Sequence, residues 1–483
     1  MTSVRVDEES ASIIVSGVGA RPDWAVLEGP RARVEAKLTG RGKTWRALFV
    51  LRAARWGGPE LPLPSGSYRL AIAGVDLAAE NTAVDALLPS LLVTVRGDDV
   101  TISPPIDPRL ASADGQRTLE ARYGWQAGAT ENAVFFESFY GFSTGCNPQA
   151  LDREIARRAP EITRYWSVTD YSVPVPEGAV AVVEGSAQWW RARSESRLLI
   201  VNDWLRRRYV RKKGQRVLQT WHGTPLKRLA LHRPGFDPRR MVAVIRESRR
   251  WDILLAQNAY AARILQKAYA FFRRTLWVEG YPRNDVLVTG TADGTAAAVR
   301  QSLGIGAEER VVMYAPTWRD DRTEIVDFID LEKLARDTDA VVLVRGHSRT
   351  LTHGKDQSGA RVIDVTGFSD TSLLLLIADA LITDYSSVMF DFSVTGRPLY
   401  FLVPDLEHYR GELRGFYFDL SERAPGPLVS TQNELTEALN DPAVSQNFAQ
   451  KYAAWRAQFN SLDDGQAASR VVDRLFDQGY LRR

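Results

Sequence analysis

One cysteine in 483 residues, Cys146, leaves no intramolecular disulfide to form and no thiolate cluster for a metal. Such usage fits a reducing compartment. Charge of one sign is scarce as well: 62 basic against 59 acidic side chains leave a net +3, far from the basic excess of a dedicated nucleic-acid binder. No apolar run is long enough to span a bilayer. The longest, from Ser372 to Ile382, is interrupted by Asp379. The N-terminus, MTSVRVDEES, puts acidic residues where a signal peptide needs an apolar core. Neither a Walker A lysine motif nor a well-placed G-x-G-x-x-G is present. These features predict a cytosolic protein with at most a surface attachment to a membrane, and no nucleic-acid partner.

What is present is a globular composition, 45% apolar and 25% charged, over a length that suggests roughly three domains. The first region reads as β: Ser12–Val15, Trp45–Leu51, Tyr68–Ile72 and Leu91–Val95 are short β-rich segments between Gly/Pro turns. That spacing predicts a small antiparallel sandwich over 1–108, with Pro104–Pro108 as its exit. Then the rhythm changes. Ala133–Phe136, Ala179–Val183, Leu198–Val201, Val217–Thr220, Ile253–Ala256, Val311–Ala315, Ala340–Val344 and Ala380–Thr383 are short apolar runs, most followed by a polar loop and a helical stretch. Near-continuous apolar strands alternating with helices predict parallel sheets buried on both faces. Two Rossmann-like halves are expected, over 115–290 and 291–483, joined near Asp293-Gly294, with the last helices able to cross back.

In such sheets ligands bind beyond the C-terminal ends of the strands. Four expected strand ends carry anion-handling residues: Trp221-His222-Gly223-Thr224-Pro225 with Lys227, Pro316-Thr317-Trp318-Arg319, Arg345-Gly346-His347, and Asp384-Tyr385-Ser386-Ser387. They converge only if the two halves face one cleft. A lone strand-end histidine is more often structural than catalytic. His222 stands out because Gly223 permits close backbone approach, while Thr224-Pro225 offers an N-cap with a first-turn proline. For His347 the pairing with Arg345 favours function. Asp384 to Ser387 can cap a helix and also present hydroxyls and N–H groups to a phosphate. No DxD-like acidic pair stands at a strand end, and Asp320-Asp321 reads as a solvated loop, so neither metal nor cofactor is expected.

Ordered motifs add specificity. FFESFYGFSTGCNPQAL from Phe135, QTWHGTPLKRL from Gln219, GYPRND from Gly280, YAPTWRDD from Tyr314, RGH from Arg345 and TSLLLLIADALITDYSSVMFDF from Thr371 closely resemble the CDP-glycerol glycerophosphotransferase family, the bacterial teichoic acid primases and polymerases. The resemblance implies a GT-B-like pair of Rossmann-type domains with the CDP-alditol donor in the C-terminal half. It implies His222 as general base on the acceptor hydroxyl, and His347 with Arg345 on the donor pyrophosphate. Ser386 and Ser387 would hold donor phosphates with Asp384 orienting their loop, Arg283 and Arg319 would contact phosphate, and Asp391 would steady the loop or reach the alditol. The implied partners are CDP-glycerol, or a related CDP-alditol, and a polyprenyl-linked or polymer acceptor, at the inner face of the membrane. Tyr140 and Phe142 depart from the more polar loop usual in the family, which bears on the acceptor.

An alcohol is a poor nucleophile at neutral pH, and an imidazole, with an unperturbed pKa of about 6.5, suits the task of base. The aromatic and cationic residues Trp189-Trp190-Arg191, Trp204 to Tyr209 and Arg211 to Lys213 form either a solvated helix face or a patch for anionic lipid. A nucleotide-sugar glycosyltransferase on the same frame and a non-catalytic polymer-binding protein are the rival classes.

Overall fold

The computed structural model describes residues 2–78, 82–124, 130–317, 329–346, 361–406 and 415–482. Alternation shapes the first region. In Thr44–Val50, Trp45, Ala47 and Phe49 are buried while Arg46 and Val50 are exposed, the period-two pattern of a sheet with one wet face. Beside a two-stranded ribbon of Arg52–Ala53 and Leu61–Pro62, two larger antiparallel sheets result. One orders Ser3–Asp7, Ser12–Val18, Thr44–Val50 and Lys37–Arg41. The other orders Ala83–Leu87, Leu92–Arg96, Asp99–Ser103, Gly66–Ile72, Ala25–Glu28 and Arg33–Glu35. Ile13, Val15 and Phe49 of the first share one core with Leu27, Leu70, Val93 and Val95 of the second. At the exit, Asp107 caps a short helix, Pro108–Ala111, with proline in its first turn.

Beyond residue 130 the central strands Ile253–Ala256, Ala340–Val344 and Ala380–Thr383 are buried along their whole length. Such strands need cover on both faces, which parallel sheets receive from crossover helices. The first parallel sheet orders Val180–Val183, Thr163–Val168, Glu131–Glu137, Ser196–Val201, Arg216–Gln219, Ile253–Ala256 and Thr275–Val278. The second orders Val362–Asp364, Ala340–Val344, Arg310–Ala315, Ala380–Thr383, Leu399–Leu402 and Leu428–Val429. Each runs outward from its first strand in one direction and then in the other. The order therefore reverses between Glu131–Glu137 and Ser196–Val201, and again between Arg310–Ala315 and Ala380–Thr383. In open parallel sheets these reversals open the ligand crevices. Thr163–Val168 escapes a search for apolar runs because Thr163, Arg164 and Ser167 interrupt it.

The last helix, Ala467–Asp477, returns to the first parallel sheet, where Val471, Val472 and Leu475 pack with Val134, Phe136, Leu198 and Ile200. Asp285 holds its start: the amides of Ala467 and Ala468 donate to the two carboxylate oxygens at 2.9 and 2.8 Å. Burial pushes the Asp285 pKa up to about 6 despite these bonds. A raised folded-state pKa means that the native state holds the proton more tightly than the unfolded chain. The resulting stability is full below about pH 4 and is lost as pH rises through about 6. At about 1.4 kcal/mol per unit, Asp285→Asn is expected to gain on the parent protein by up to about 3 kcal/mol between pH 4 and 7. Urea midpoints of both proteins at the two pH values check this, and a constant difference would remove it.

Much of the aromatic and cationic segment is engaged within the fold. Trp189 and Trp190 are buried, and the Arg193 guanidinium lies between the rings of Trp189 and Tyr209, at 4.8 and 5.3 Å from their centroids. Arg206 and Arg207 both pair with Glu184, Arg211 with Asp252 at 2.6 Å, and Arg191 with Glu195 at 2.7 Å. The indoles of Trp189 and Trp190 fill core volume, and Arg191, Arg206, Arg207 and Arg211 are paired with carboxylates nearby. Among the described residues no helix is long and apolar enough to cross a membrane.

Candidate functional site

At the end of Arg216–Gln219 the Gln219 side chain folds the chain back. Its Nε2 donates to the Asp203 carbonyl and its Oε1 accepts from the Trp221 amide, both at 2.9 Å. Trp221 is thereby held at φ +55°, a left-handed conformation that a non-glycine residue keeps only when its surroundings fix it. Its indole stacks on the His222 imidazole, with centroids 4.8 Å apart and planes 17° apart, and the Phe139 ring lies 5.6 Å away on a tilt. His222 Nδ1 is 2.6 Å from the carbonyl oxygen of Asn202. A carbonyl oxygen only accepts, so Nδ1 carries the hydrogen and the neutral ring keeps its lone pair on Nε2. Among the described residues Nε2 has no partner. The half-buried imidazole is therefore oriented as an acceptor of a proton.

Asn202, which follows the strand Ser196–Val201, organises this side. Its Oδ1 accepts from the Phe139 amide and its Nδ2 donates to Ser138 Oγ, both at 2.9 Å. The loop so held contains Phe139 and Tyr140 at φ +45° and +58°, and the Tyr140 hydroxyl donates to Asp203 at 2.8 Å. Asn147 supports the turn from behind, donating to the carbonyls of Thr220 and Trp221 at 3.3 and 3.1 Å. Neither asparagine was singled out from the sequence. Asn202 could have been, since it is the first polar residue after the apolar run Leu198–Val201.

On the other side, the Asp384 carboxylate is buried and accepts the Thr317 amide at 2.9 and 3.0 Å, tying together the two strand ends that flank the reversal of the second sheet. It also accepts the Tyr385 amide. Asp384 thus shapes the loop; a buried carboxylate already filled by N–H donors is not a phosphate ligand. Ser386 and Ser387 follow, both half-buried, and Ser386 Oγ accepts from the Val388 amide at 3.4 Å. Arg345 donates from Nη1 to the carbonyls of Val365 and Phe368, each at 2.9 Å. Its Nε and Nη2 have no hydrogen-bond partner among the described residues. Burial pulls the Arg345 pKa down to about 10 in spite of Asp370 and Asp364. A desolvated cation of this kind is stabilised by an incoming anion. His347 and Arg319 lie outside the described residues.

The two sides touch. A Cβ added to Gly223 would sit 2.6 Å from Ser387 Oγ and 3.0 Å from Ser387 Cβ, so glycine lets the turn after His222 approach the serine loop closely. The chain beyond it hydrogen-bonds to the second parallel unit, with the Arg228 amide donating to Gly415 and the Tyr417 amide to Leu226 at 3.0 and 2.8 Å. Lys227 forms an isolated bridge with Phe416 within this stretch. Hence no helix begins at Thr224-Pro225, contrary to the expected N-cap. Thr224 is only 1% exposed, and its hydroxyl donates to Gln257 Oε1 at 2.6 Å, so its one O–H hydrogen is not free for a phosphate.

Arg283 also differs from its expected role. Nε and Nη2 grip Asp391 at 2.8 to 3.1 Å, while Nη1 donates to the His222 carbonyl at 2.9 Å and to Cys146 Sγ at 3.0 Å. Burial opposes the charge, but Asp391, then Cys146 and Tyr281, outweigh it and hold the Arg283 pKa above its ordinary value. Every N–H of this guanidinium is engaged. It is a clamp between the His222 turn and the helix that follows Ser387, not an open phosphate contact. Among the described residues no cluster of three or more His, Cys, Asp or Glu side chains could hold a metal ion.

Three comparisons bear on this geometry. The sequence profile of the CDP-Glycerol:Poly(glycerophosphate) glycerophosphotransferase family matches residues 121–477, a stretch that begins after the two antiparallel sheets. A teichoic acid poly(glycerol phosphate) polymerase of Bacillus subtilis (strain 168) is 35% identical over 363 residues, 71% of this chain and 48% of that protein. The chain thus spans about half the length of that relative. A teichoic acid glycerol-phosphate transferase of Staphylococcus aureus is 35% identical over 382 residues, 72% of this chain and 93% of that one. Among solved structures, the wall teichoic acid polymerase TagF superposes with a TM-score of 0.71 at 32% identity, covering 77% of this chain and 95% of that one.

Proposed function

The chain belongs to the CDP-glycerol:poly(glycerophosphate) glycerophosphotransferase family, and on that premise we propose that it transfers glycerol phosphate from CDP-glycerol to a hydroxyl of a teichoic-acid-like polymer, releasing CMP. The acceptor oxygen attacks the β-phosphorus, a new O–P bond forms, and the bond from that phosphorus to the oxygen bridging to CMP breaks. The acceptor proton passes to Nε2 of His222. Arg345, Ser386 and Ser387 bind the phosphates, with His347 and Arg319 as further donor contacts, and positive charge there stabilises the developing negative charge. One observation carries the proposal: the Asn202 carbonyl fixes the tautomer of His222, and Gly223 brings that residue's turn against Ser387.

The two parallel sheets act as a GT-B-like pair, 115–290 for the acceptor and 291–483 for the donor, with an appended β-sandwich over 1–108. The shared core of the antiparallel sheets and the paired strand-order reversals support this division. A lipid-linked acceptor and a peripheral position at the inner face of the membrane are the setting such a reaction implies. A donor screen tests the proposal, with CDP-glycerol, CDP-ribitol and UDP-sugars read by nucleotide release. CMP release from CDP-glycerol supports it; turnover of a UDP-sugar alone replaces it with a glycosyltransferase.

A further inference from the structure

The two antiparallel sheets have no part in the proposed reaction, yet they touch both parallel units. One contact is Asp170, just beyond the strand Thr163–Val168 of the first parallel sheet. Its carboxylate is buried, accepts the Ser65 amide at 2.9 Å, and lies 3.5 Å from the Arg31 guanidinium. The other is the turn Arg55-Trp56-Gly57, which lies between the short paired strands Arg52–Ala53 and Leu61–Pro62 of the same region. The Trp56 ring meets Phe368 edge-on, with centroids 5.8 Å apart, and packs against the core of the second parallel unit. Gly57 faces Ser302, and Gly367 faces the Arg55 guanidinium. Trp56 itself is left-handed, at φ +54°, a conformation its surroundings must enforce.

Phe368 is the link to the site, because its carbonyl is one of the two that hold Arg345 Nη1. We propose that Trp56 is a positioning residue for donor binding, and that the antiparallel sheets are a strut joining both parallel units, which through Phe368 fixes the backbone that holds Arg345. The kinetic consequence rests on the proposed donor role of Arg345. The structural consequence rests on the packing alone.

The test uses the full chain and compares the parent protein with Trp56→Ala, Trp56→Phe and Trp24→Ala. Hydrogen exchange without nucleotide reads the amides of Val365 and Phe368, which donate to the Val344 and Val365 carbonyls at 2.9 and 3.0 Å. In Trp56→Ala these amides are expected to exchange about tenfold or more faster, while those of Glu131–Glu137 are unchanged. Trp56→Phe is expected to behave as the parent. It keeps an aromatic ring for the edge-on contact and gives up the second ring of the indole and an N–H that has no acceptor among the described residues. Trp24, an exposed tryptophan of the same region at 53% exposure, serves as control. With CDP-glycerol, Trp56→Ala is expected to raise the donor KM about tenfold and change kcat by less than about twofold. Unchanged exchange at Val365 and Phe368, or faster exchange spread equally into Glu131–Glu137, overturns the strut. If the parent protein does not turn over CDP-glycerol, the proposed function fails, and the exchange measurement still decides the strut.

Discussion

His222→Ala is expected to lower transfer by about 10²- to 10⁴-fold, the range over which a positioned base acts, while CDP-glycerol binds almost as tightly as before. The separation follows from where the imidazole sits. Its Nδ1 is committed to the Asn202 carbonyl, its faces are covered by Trp221 and approached by Phe139, and what it offers outward is the lone pair of Nε2. A group oriented in this way takes a proton in the transition state and gives little to a bound anion beforehand, so kcat falls and donor affinity stays. Isothermal titration with CDP-glycerol beside steady-state rates distinguishes the cases. Equal loss of rate and donor affinity would make His222 a donor ligand instead.

The second large effect concerns Arg283. Arg283→Ala leaves the Asp391 carboxylate buried without its cation, which is expected to cost about 3–5 kcal/mol of stability. It also frees the His222 carbonyl, and displacement of a reacting group by about 1 Å is enough to cost about 10²-fold in rate. Stability and catalysis can be separated by replacing the whole pair. Arg283→Met with Asp391→Leu removes both charges and is expected to recover most of the lost stability, because no uncompensated charge remains. Transfer should stay low, since the hydrogen bond from Arg283 Nη1 to the His222 carbonyl, which ties that turn to the helix after Ser387, is still missing. Thermal unfolding and kcat of the single and double variants provide the measurement. Recovery of kcat together with stability would show that the clamp supports the fold alone.

Arg283 also shows where reading the sequence stops. As a cation in a Gly-Tyr-Pro-Arg stretch it invites a phosphate, and nothing nearby in the chain contradicts that. Its partner, Asp391, lies 108 residues away. Thr224 fails in the same way: Thr-Pro after an apolar strand has the form of a helix start, but the hydroxyl is taken by Gln257, 33 residues on. The tryptophans at 189 and 190 looked like a surface patch because their cationic neighbours masked an inward-facing helix stripe. By contrast, the apolar strands and the residues at their ends were legible, because burial on both faces imprints itself on consecutive residues. The turn at His222, the loop at Asp384 to Ser387 and the Arg345 strand end all lie where those strands placed them. Partners that meet only in three dimensions left no local pattern.

The most direct measurement incubates the full chain with CDP-glycerol and a glycerol-phosphate polymer acceptor, following CMP and product mass together. Equimolar CMP and an acceptor heavier by one glycerol phosphate per CMP are expected, and both should be lost in His222→Ala. No CMP from CDP-glycerol, or CMP formed without any gain in acceptor mass, would contradict glycerol phosphate transfer by this site.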